Sequence, residues 1–248
     1  MSRHVTTMTI WDAEHYTEEQ RDAIIGSYKE YERDARVKGI PALGSGRVYP
    51  IAEEPITVQP FDIPSTFHKI GGLDFGGSGD DGHPTAAVKL AHDRDADIIY
   101  VTHAYSRKGG TTLHHAAAVK PWHCPIWAWP HDGLKKMEVG NSSVAIKDMY
   151  ANHGLKMHPE RAQFEDGGFG VEGGINEILE YMETGRFKVF AHLEAWFIEF
   201  RQYHRKDGII VKEYDDILDA TRYAFMMRRF AERDTKTKWG KPNRQGII

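Results

Sequence analysis

Ile70-Gly71-Gly72-Leu73-Asp74-Phe75-Gly76-Gly77 reads as a strand carrying a carboxylate where a soluble α/β protein has no structural need of one. Asp is disfavoured inside strands and costly to bury without partners. A cation beside it removes that cost. The flanking glycines let a phosphate or another backbone come close. The bland alternative is an acid capping the turn that opens at Gly76. Working outward, the strand-like runs Lys69–Phe75, Thr85–His92 and Ile98–Ala104 are joined by the Gly76–Pro84 loop and the Asp93–Asp97 turn. The pattern then predicts a helix over Thr111–Lys120, an apolar strand over Pro125–Trp129 and a helix over Ser143–His153. A strand over Leu155–His158, a glycine-rich loop over Gly167–Gly174 and a helix over Ile175–Thr184 follow. The pattern closes with a strand over Phe187–Phe190, a helix over His192–Tyr203, a strand over Gly208–Lys212 and a helix over Asp216–Glu232. Three consecutive strands followed by alternating helices and strands predict an α/β fold, a mixed β-sheet with helices on both faces.

The flanks read differently. Residues 1–65 lack the pattern of a self-sufficient domain. Thr17–Val37 reads as one charged helix with Thr17 as N-cap, and the stretch from Gly39 to Pro64 carries five prolines, Pro41, Pro50, Pro55, Pro60 and Pro64, as a linker or surface-hugging segment would. Residues 66–232 form the expected main domain. Residues 233–248 are basic and polar, a tail expected to be disordered in isolation.

A chain of 248 residues suits one α/β domain plus an attachment. No apolar run approaches the roughly 20 residues that cross a bilayer. The single Cys124 excludes an internal disulfide framework and a paired-thiolate zinc site, which fits a reducing cytosol. A net charge of -4 is no global argument for a nucleic-acid partner. From Phe200 onward, however, Lys and Arg outnumber Asp and Glu, and the acids gather around Asp215, Asp216 and Asp219. An acidic centre in a basic surround suits a protein that holds cations and phosphates together, though an ordinary mixed surface reads the same way.

Two further acids join Asp74. Asp132 follows the apolar run Ile126-Trp127-Ala128-Trp129, at the C-terminal end of a strand, where open α/β sheets place ligands; Pro-x-Asp-Gly is also a good turn on its own. Asp219 heads a helical stripe with Tyr223, Met226 and Phe230, which aims it inward. Asp216 lies one turn earlier, where it reaches the same ion or a neighbouring one, although acids are favoured at any helix N-terminus. Three separated carboxylates converging on one sheet edge would bind hard divalent cations, Mg2+ or Mn2+, through oxygen. Two such ions activate water and steady a leaving oxygen in phosphodiester hydrolysis, with no protein nucleophile. Lys135, Lys136, His83 and His131 are the candidate contacts to phosphate or water. The remaining histidines, His114-His115 among them, show no zinc spacing and read as surface or packing residues.

Gly72-Leu73-Asp74-Phe75-Gly76 and Asp215-Asp216-Ile217-Leu218-Asp219-Ala220-Thr221-Arg222-Tyr223-Ala224 resemble the nuclease domain of phage terminase large subunits, those of headful-packaging tailed phages above all. The resemblance covers Phe67 to Glu232 in element order. It implies an RNase H-like fold, with Asp74, Asp132 and Asp219 as catalytic metal-binding triad and Asp216 where relatives place an auxiliary His or Asp. It also implies a metal-dependent endonuclease on double-stranded concatemeric DNA, working in the cytoplasm of an infected bacterium with a motor domain, a portal protein and a small terminase subunit. Thr6-Thr7-Met8-Thr9 and Gly44-Ser45-Gly46-Arg47 resemble the end of a terminase motor. No Gly-x4-Gly-Lys-Ser/Thr loop occurs, so the expectation is a nuclease without an ATPase of its own. Lys236 to Arg244 is then a candidate portal- or DNA-contacting segment. The competing readings are a Holliday-junction resolvase or transposase, an actin-like or sugar-kinase ATPase suggested by Asp74-Phe75-Gly76-Gly77-Ser78-Gly79, and a non-catalytic DNA- or portal-binding module.

Overall fold

The computed structural model describes residues 9–13, 15–27, 37, 46–77, 82–206 and 208–234. The expected helix beyond Ser27, Ser78 and Gly79 and the basic stretch from 235 onward lie outside these residues, Val37 excepted. Within them, β1 (Thr57–Val58), β2 (His68–Asp74), β3 (Thr85–Asp93), β4 (Ile98–Arg107) and β5 (Trp127–Ala128) belong to one sheet. β6 (Lys136–Val139) and β7 (Ser142–Ala145) form a separate hairpin, and β8 (Phe187–Phe190) returns to the sheet. The order is β1-β8-β4-β3-β2-β5. β2, β3 and β4 are antiparallel, while β5 runs parallel to β2, β8 to β4 and β1 to β8.

The helices are α1 (Glu18–Ser27), α2 (Thr112–Val119), α3 (Ile146–Asn152), α4 (Val171–Glu183), α5 (Glu194–Gln202) and α6 (Asp216–Met226). Thr17 and Gln20 close the start of α1 as a reciprocal capping box. Both faces of the sheet are covered. Ile70, Val88 and Leu90 pack with Ile175 and Ile178 of α4, Trp196 and Phe200 of α5, and Ile217 and Ala220 of α6. On the other face, Leu73, Ala87 and Trp127 pack with Ala116 and Val119 of α2 and Tyr150 of α3. Among the described residues no helix is long and apolar enough to cross a membrane.

Several details differ from the sequence expectation. Leu155–His158, expected as a strand, holds only an isolated bridge from Met157 to Trp127, and Val171–Gly174, expected as loop, forms the first turn of α4. Ser143–Ala145, expected to open a helix, is strand: Gly140 and Asn141 make the two-residue loop of the β6–β7 hairpin, with Val139 opposite Ser142, and α3 starts only at Ile146. The final helix stops at Met226 instead of Glu232, and its last carbonyls are taken by Arg228, which donates to Phe225 O at 3.0 Å, and Arg229, which donates to Met226 O at 2.8 Å. The strand expected over Gly208–Lys212 is a hairpin of β9 (Arg205–Lys206) and β10 (Ile209–Ile210). The proline-rich stretch is more than linker. Val48, Tyr49 and Ile56 are buried in the main core, and β1 supplies the sheet edge beside β8.

The closest helix–sheet approach is at Gly72. A Cβ there would lie 2.0 Å from the carbonyl oxygen of Ala220 and 2.9 Å from the Ala224 methyl, so α6 rests directly on the β2 backbone. Gly72→Ala is therefore expected to lower stability by roughly 3 kcal/mol, the upper range of overpacking costs. Gly26→Ala, with nothing within 4 Å of the added methyl, should leave the thermal midpoint unchanged or slightly raised. Equal midpoints for the two variants in a circular-dichroism melt would refute the contact.

Candidate active site

Strand geometry brings the acids together. β2 and β5 are parallel neighbours, Gly71 opposite Trp127 and Gly72 opposite Ala128, so both end at the same edge of the sheet. Asp74 is the last residue of β2, and by the two-residue alternation of a strand it shares the face of Gly72, under α6. Beyond β5 the chain turns through the 3-10 segment His131–Leu134, which carries Asp132. α6 begins at Asp216, placing Asp216 and Asp219 in its first turn at that edge. Asp74, Asp132, Asp216 and Asp219 line one cleft of about 870 Å³. His83 and Lys135 also line it, as do Lys212, Asp215 and the buried His115. Lys136 and His131 do not. Lys136 opens the exposed strand β6, and His131 is held outside the cleft by Arg161, whose Nη1 donates to its Nδ1 at 2.7 Å.

The cleft concentrates negative charge in a poorly solvated place. Burial pushes the Asp74 carboxyl well above its ordinary value, and Asp219, Asp132 and Asp216 push it further, with only Arg222 opposing. Burial likewise raises Asp132, against the pull of Lys135. Asp215 and Asp216 are raised by burial and by one another or Asp219. His83 Nδ1 stands 3.5 Å from Asp216 Oδ1.

Two basic side chains hold this charge. Arg222, almost fully buried, places Nη2 3.0 Å and Nε 3.2 Å from Asp219 Oδ1 and so fixes that carboxylate's orientation. Lys212 Nζ lies 3.0 Å from Asp219 Oδ2 and 3.0 Å from Asp215 Oδ2. Burial works against its charge, but Asp219 and Asp215 outweigh it and raise the Lys212 pKa. The ammonium thus sits between two acids as a counter-ion. Asp132 offers the opposite case, since its buried Oδ1 has no hydrogen-bond partner. Such an orphaned carboxylate oxygen fits a cation, and the oxygen-only donor set fits a hard divalent one. Among the described residues, no three His, Cys, Asp or Glu side chains stand close enough to share one ion.

Lys212 and Asp215 escaped the sequence reading as partners in the site. Lys212 lies in what reads as a short strand, and Asp215 is masked by the general preference for acids before a helix. Glu199 escaped entirely. It lies on α5 between Trp196 and Phe200, and that phase, an acid on the apolar stripe, was the available signal.

Comparison with known proteins follows the same lines. A family model described as the terminase RNaseH-like domain matches residues 71–228, from within β2 to just past α6. The terminase large subunit of Salmonella phage P22 is 48% identical over 233 residues, 93% of this chain and 45% of that protein. That of Enterobacteria phage LP7 is 48% identical over 230 residues, 92% of this chain and 47% of that protein. The chain therefore spans about half the length of the curated relatives it matches. The solved nuclease domain of the P22 large terminase is 44% identical, with a TM-score of 0.69 over 77% of this chain and 96% of that one. The fold is the RNase H-like mixed sheet expected from the sequence.

Glu199 organises the start of α6 from below. Its Oε2 accepts the backbone N–H of Ile217 at 2.7 Å and of Leu218 at 3.2 Å, two amides that no helical carbonyl reaches. Burial raises this carboxyl from 4.5 to about 8, with Asp216 and Asp215 adding to the rise and the two amides opposing it. A carboxyl raised on folding keeps its proton where the unfolded chain has lost it, so the folded state loses stability as pH climbs from about 4.5 to about 8. In EDTA, Glu199→Gln keeps an accepting oxygen and removes the titration. Its thermal midpoint is expected to fall less than the wild type's between pH 6 and pH 8, and parallel pH curves would remove Glu199 as the source.

Proposed function

The chain belongs to the family of terminase RNaseH-like domains, and from that premise we propose that it is a metal-dependent endonuclease cutting concatemeric double-stranded viral DNA during genome packaging. The observation that carries this reading is the cleft itself: acids from β2, from the turn after β5 and from α6 face one space, where burial raises the carboxyls of Asp74, Asp132 and Asp216. Charge of that density calls for cations. Asp74, Asp132 and Asp219 would hold two divalent ions, Mg2+ or Mn2+, with Asp216 as an auxiliary ligand. When bound, such ions supply an activated water and a stabilised leaving oxygen for phosphodiester hydrolysis.

The chain's own residues prepare the site. Arg222 orients Asp219, β2 holds Asp74 at the sheet edge, and the turn after β5 presents the unpartnered oxygen of Asp132. Lys212 balances Asp215 and Asp219 until other cations take that charge. Lys135 and His83, on the cleft lining, are assigned to DNA phosphates; Lys136 and His131, outside it, serve only a duplex that extends past the cleft. Grip on phosphates without base reading implies little sequence preference. By relationship to terminase large subunits, the partners are a packaging motor, the portal protein and a small terminase subunit, in the cytoplasm of an infected bacterium, with Lys236 to Arg244 as a portal- or DNA-contacting stretch.

Plasmid cleavage with Mn2+ or Mg2+ tests the reading. Asp74→Asn, Asp132→Ala and Asp219→Asn are each expected to slow cutting about a thousandfold, the worth of several kcal/mol of metal-borne stabilisation, while Lys136→Ala stays within about threefold of wild type, as expected for one exposed phosphate contact. Undiminished cutting by Asp74→Asn would falsify the proposal. A four-way DNA junction, run beside the plasmid, should be cut no faster, whereas a strong preference for the junction points to a resolvase.

A further inference from the structure

Tyr214 occupies a backbone conformation that its side chain does not favour. Its φ is +57°, in the left-handed region, which glycine adopts freely and a bulky aromatic residue adopts only at a cost. Asp97 and His123 share positive φ among the described non-glycine residues, and each is explained locally. Asp97 accepts hydrogen bonds from Tyr181 and Arg186, and His123 closes a 3-10 turn with its N–H on Lys120 O. Tyr214 has no such return among the described residues: its ring makes no aromatic contact with them and its hydroxyl no hydrogen bond, and the residue is 63% exposed.

Position supplies the missing reason. Tyr214 directly precedes Asp215 and Asp216 and follows Lys212 by two residues, and all three of those line the acidic cleft. Tyr214 is not itself on the cleft lining; its exposed ring stands on the segment that carries Lys212 and Asp215 to the cleft, with Lys135 and Met137 lining it from the β5–β6 side. Aromatic faces stack on bases and deoxyriboses of any sequence, which suits a nuclease that grips without reading. Residues in strained backbone conformations concentrate where a ligand is positioned.

We propose that Tyr214 is a positioning residue whose ring packs against the nucleotide beside the scissile phosphate and sets that phosphate over the acids. The proposal rests on the nuclease reading and adds to it a named contact on the DNA.

Three variants test it: Tyr214→Gly, Tyr214→Phe and, as a control of the nuclease reading, Asp74→Asn. The readouts are thermal midpoint, anisotropy of a fluorescein-labelled duplex in Ca2+, and Mn2+-dependent plasmid cutting resolved into kcat and KM. Tyr214→Gly relieves the backbone, so its midpoint should rise while its DNA affinity falls about tenfold, the range of one lost stacking contact, with the loss mainly in KM. Tyr214→Phe keeps the ring and should bind as the wild type does. A purely structural residue would behave oppositely, with Tyr214→Gly melting lower and binding unchanged. If Tyr214→Gly binds and cuts like the wild type while Asp74→Asn does not cut, the Tyr214 proposal is overturned and the nuclease reading stands. If the wild type binds DNA but never cuts, the nuclease reading fails and the Tyr214 proposal, which needs a scissile phosphate to position, is overturned with it. A wild type that neither binds nor cuts overturns both.

Discussion

The backbone of α6 lies on the backbone of β2 at Gly72, and the site depends on that contact. With no side chain between them, the Ala220 carbonyl reaches the strand, and the helix's first turn is carried to the end where Asp74 and the turn bearing Asp132 emerge. Any larger residue at position 72 would lift the helix and open the distance between the acids of the cleft. The same face holds the main core, so the energy that fixes the helix comes from the burial of Trp196, Phe200, Ile217 and Ala224. Folding and the placing of charge are one event here.

Bringing carboxylates together opposes folding unless something answers their charge. The structure answers it in graded ways. Arg222, buried beneath Asp219, is a permanent partner. Lys212, about half exposed, is a softer one, standing between Asp215 and Asp219 from a loop. Asp74 makes no ion pair with either, and burial pushes its carboxyl well above the ordinary value. On the proposed function, Arg222 would keep Asp219 aimed at the divalent ions, and Lys212 would yield its place between Asp215 and Asp219 to them.

Much of this was legible in the chain. An acid inside a glycine-flanked strand, an acid just past an apolar run and an acid heading a helical stripe each break a local rule, and the fold brings all three to one cleft. The order of strands and helices was equally plain because burial on both faces imposes strong periodicity. What escaped was set by contacts distant in sequence. Glu199 reads as a helix-surface acid until Ile217 and Leu218 are seen above it. The burial of Val48, Tyr49 and Ile56 is hidden behind prolines that suggest a linker. The β6–β7 hairpin had a local signal, Gly140-Asn141, outweighed by the helical pattern that follows it. Lys136 and His131 sit next to residues that reach the cleft, yet sequence neighbours in a turn point apart.

Calorimetric titration with Mn2+ tests the central claim most directly, by comparing the wild type with Asp74→Asn in buffers of different ionisation enthalpy. If the acids of β2, the β5 turn and α6 form one cation site, the wild type binds Mn2+ and sheds protons as it does so, and Asp74→Asn binds about tenfold more weakly or worse. Indistinguishable binding by the two proteins, or no binding by the wild type, would contradict the account.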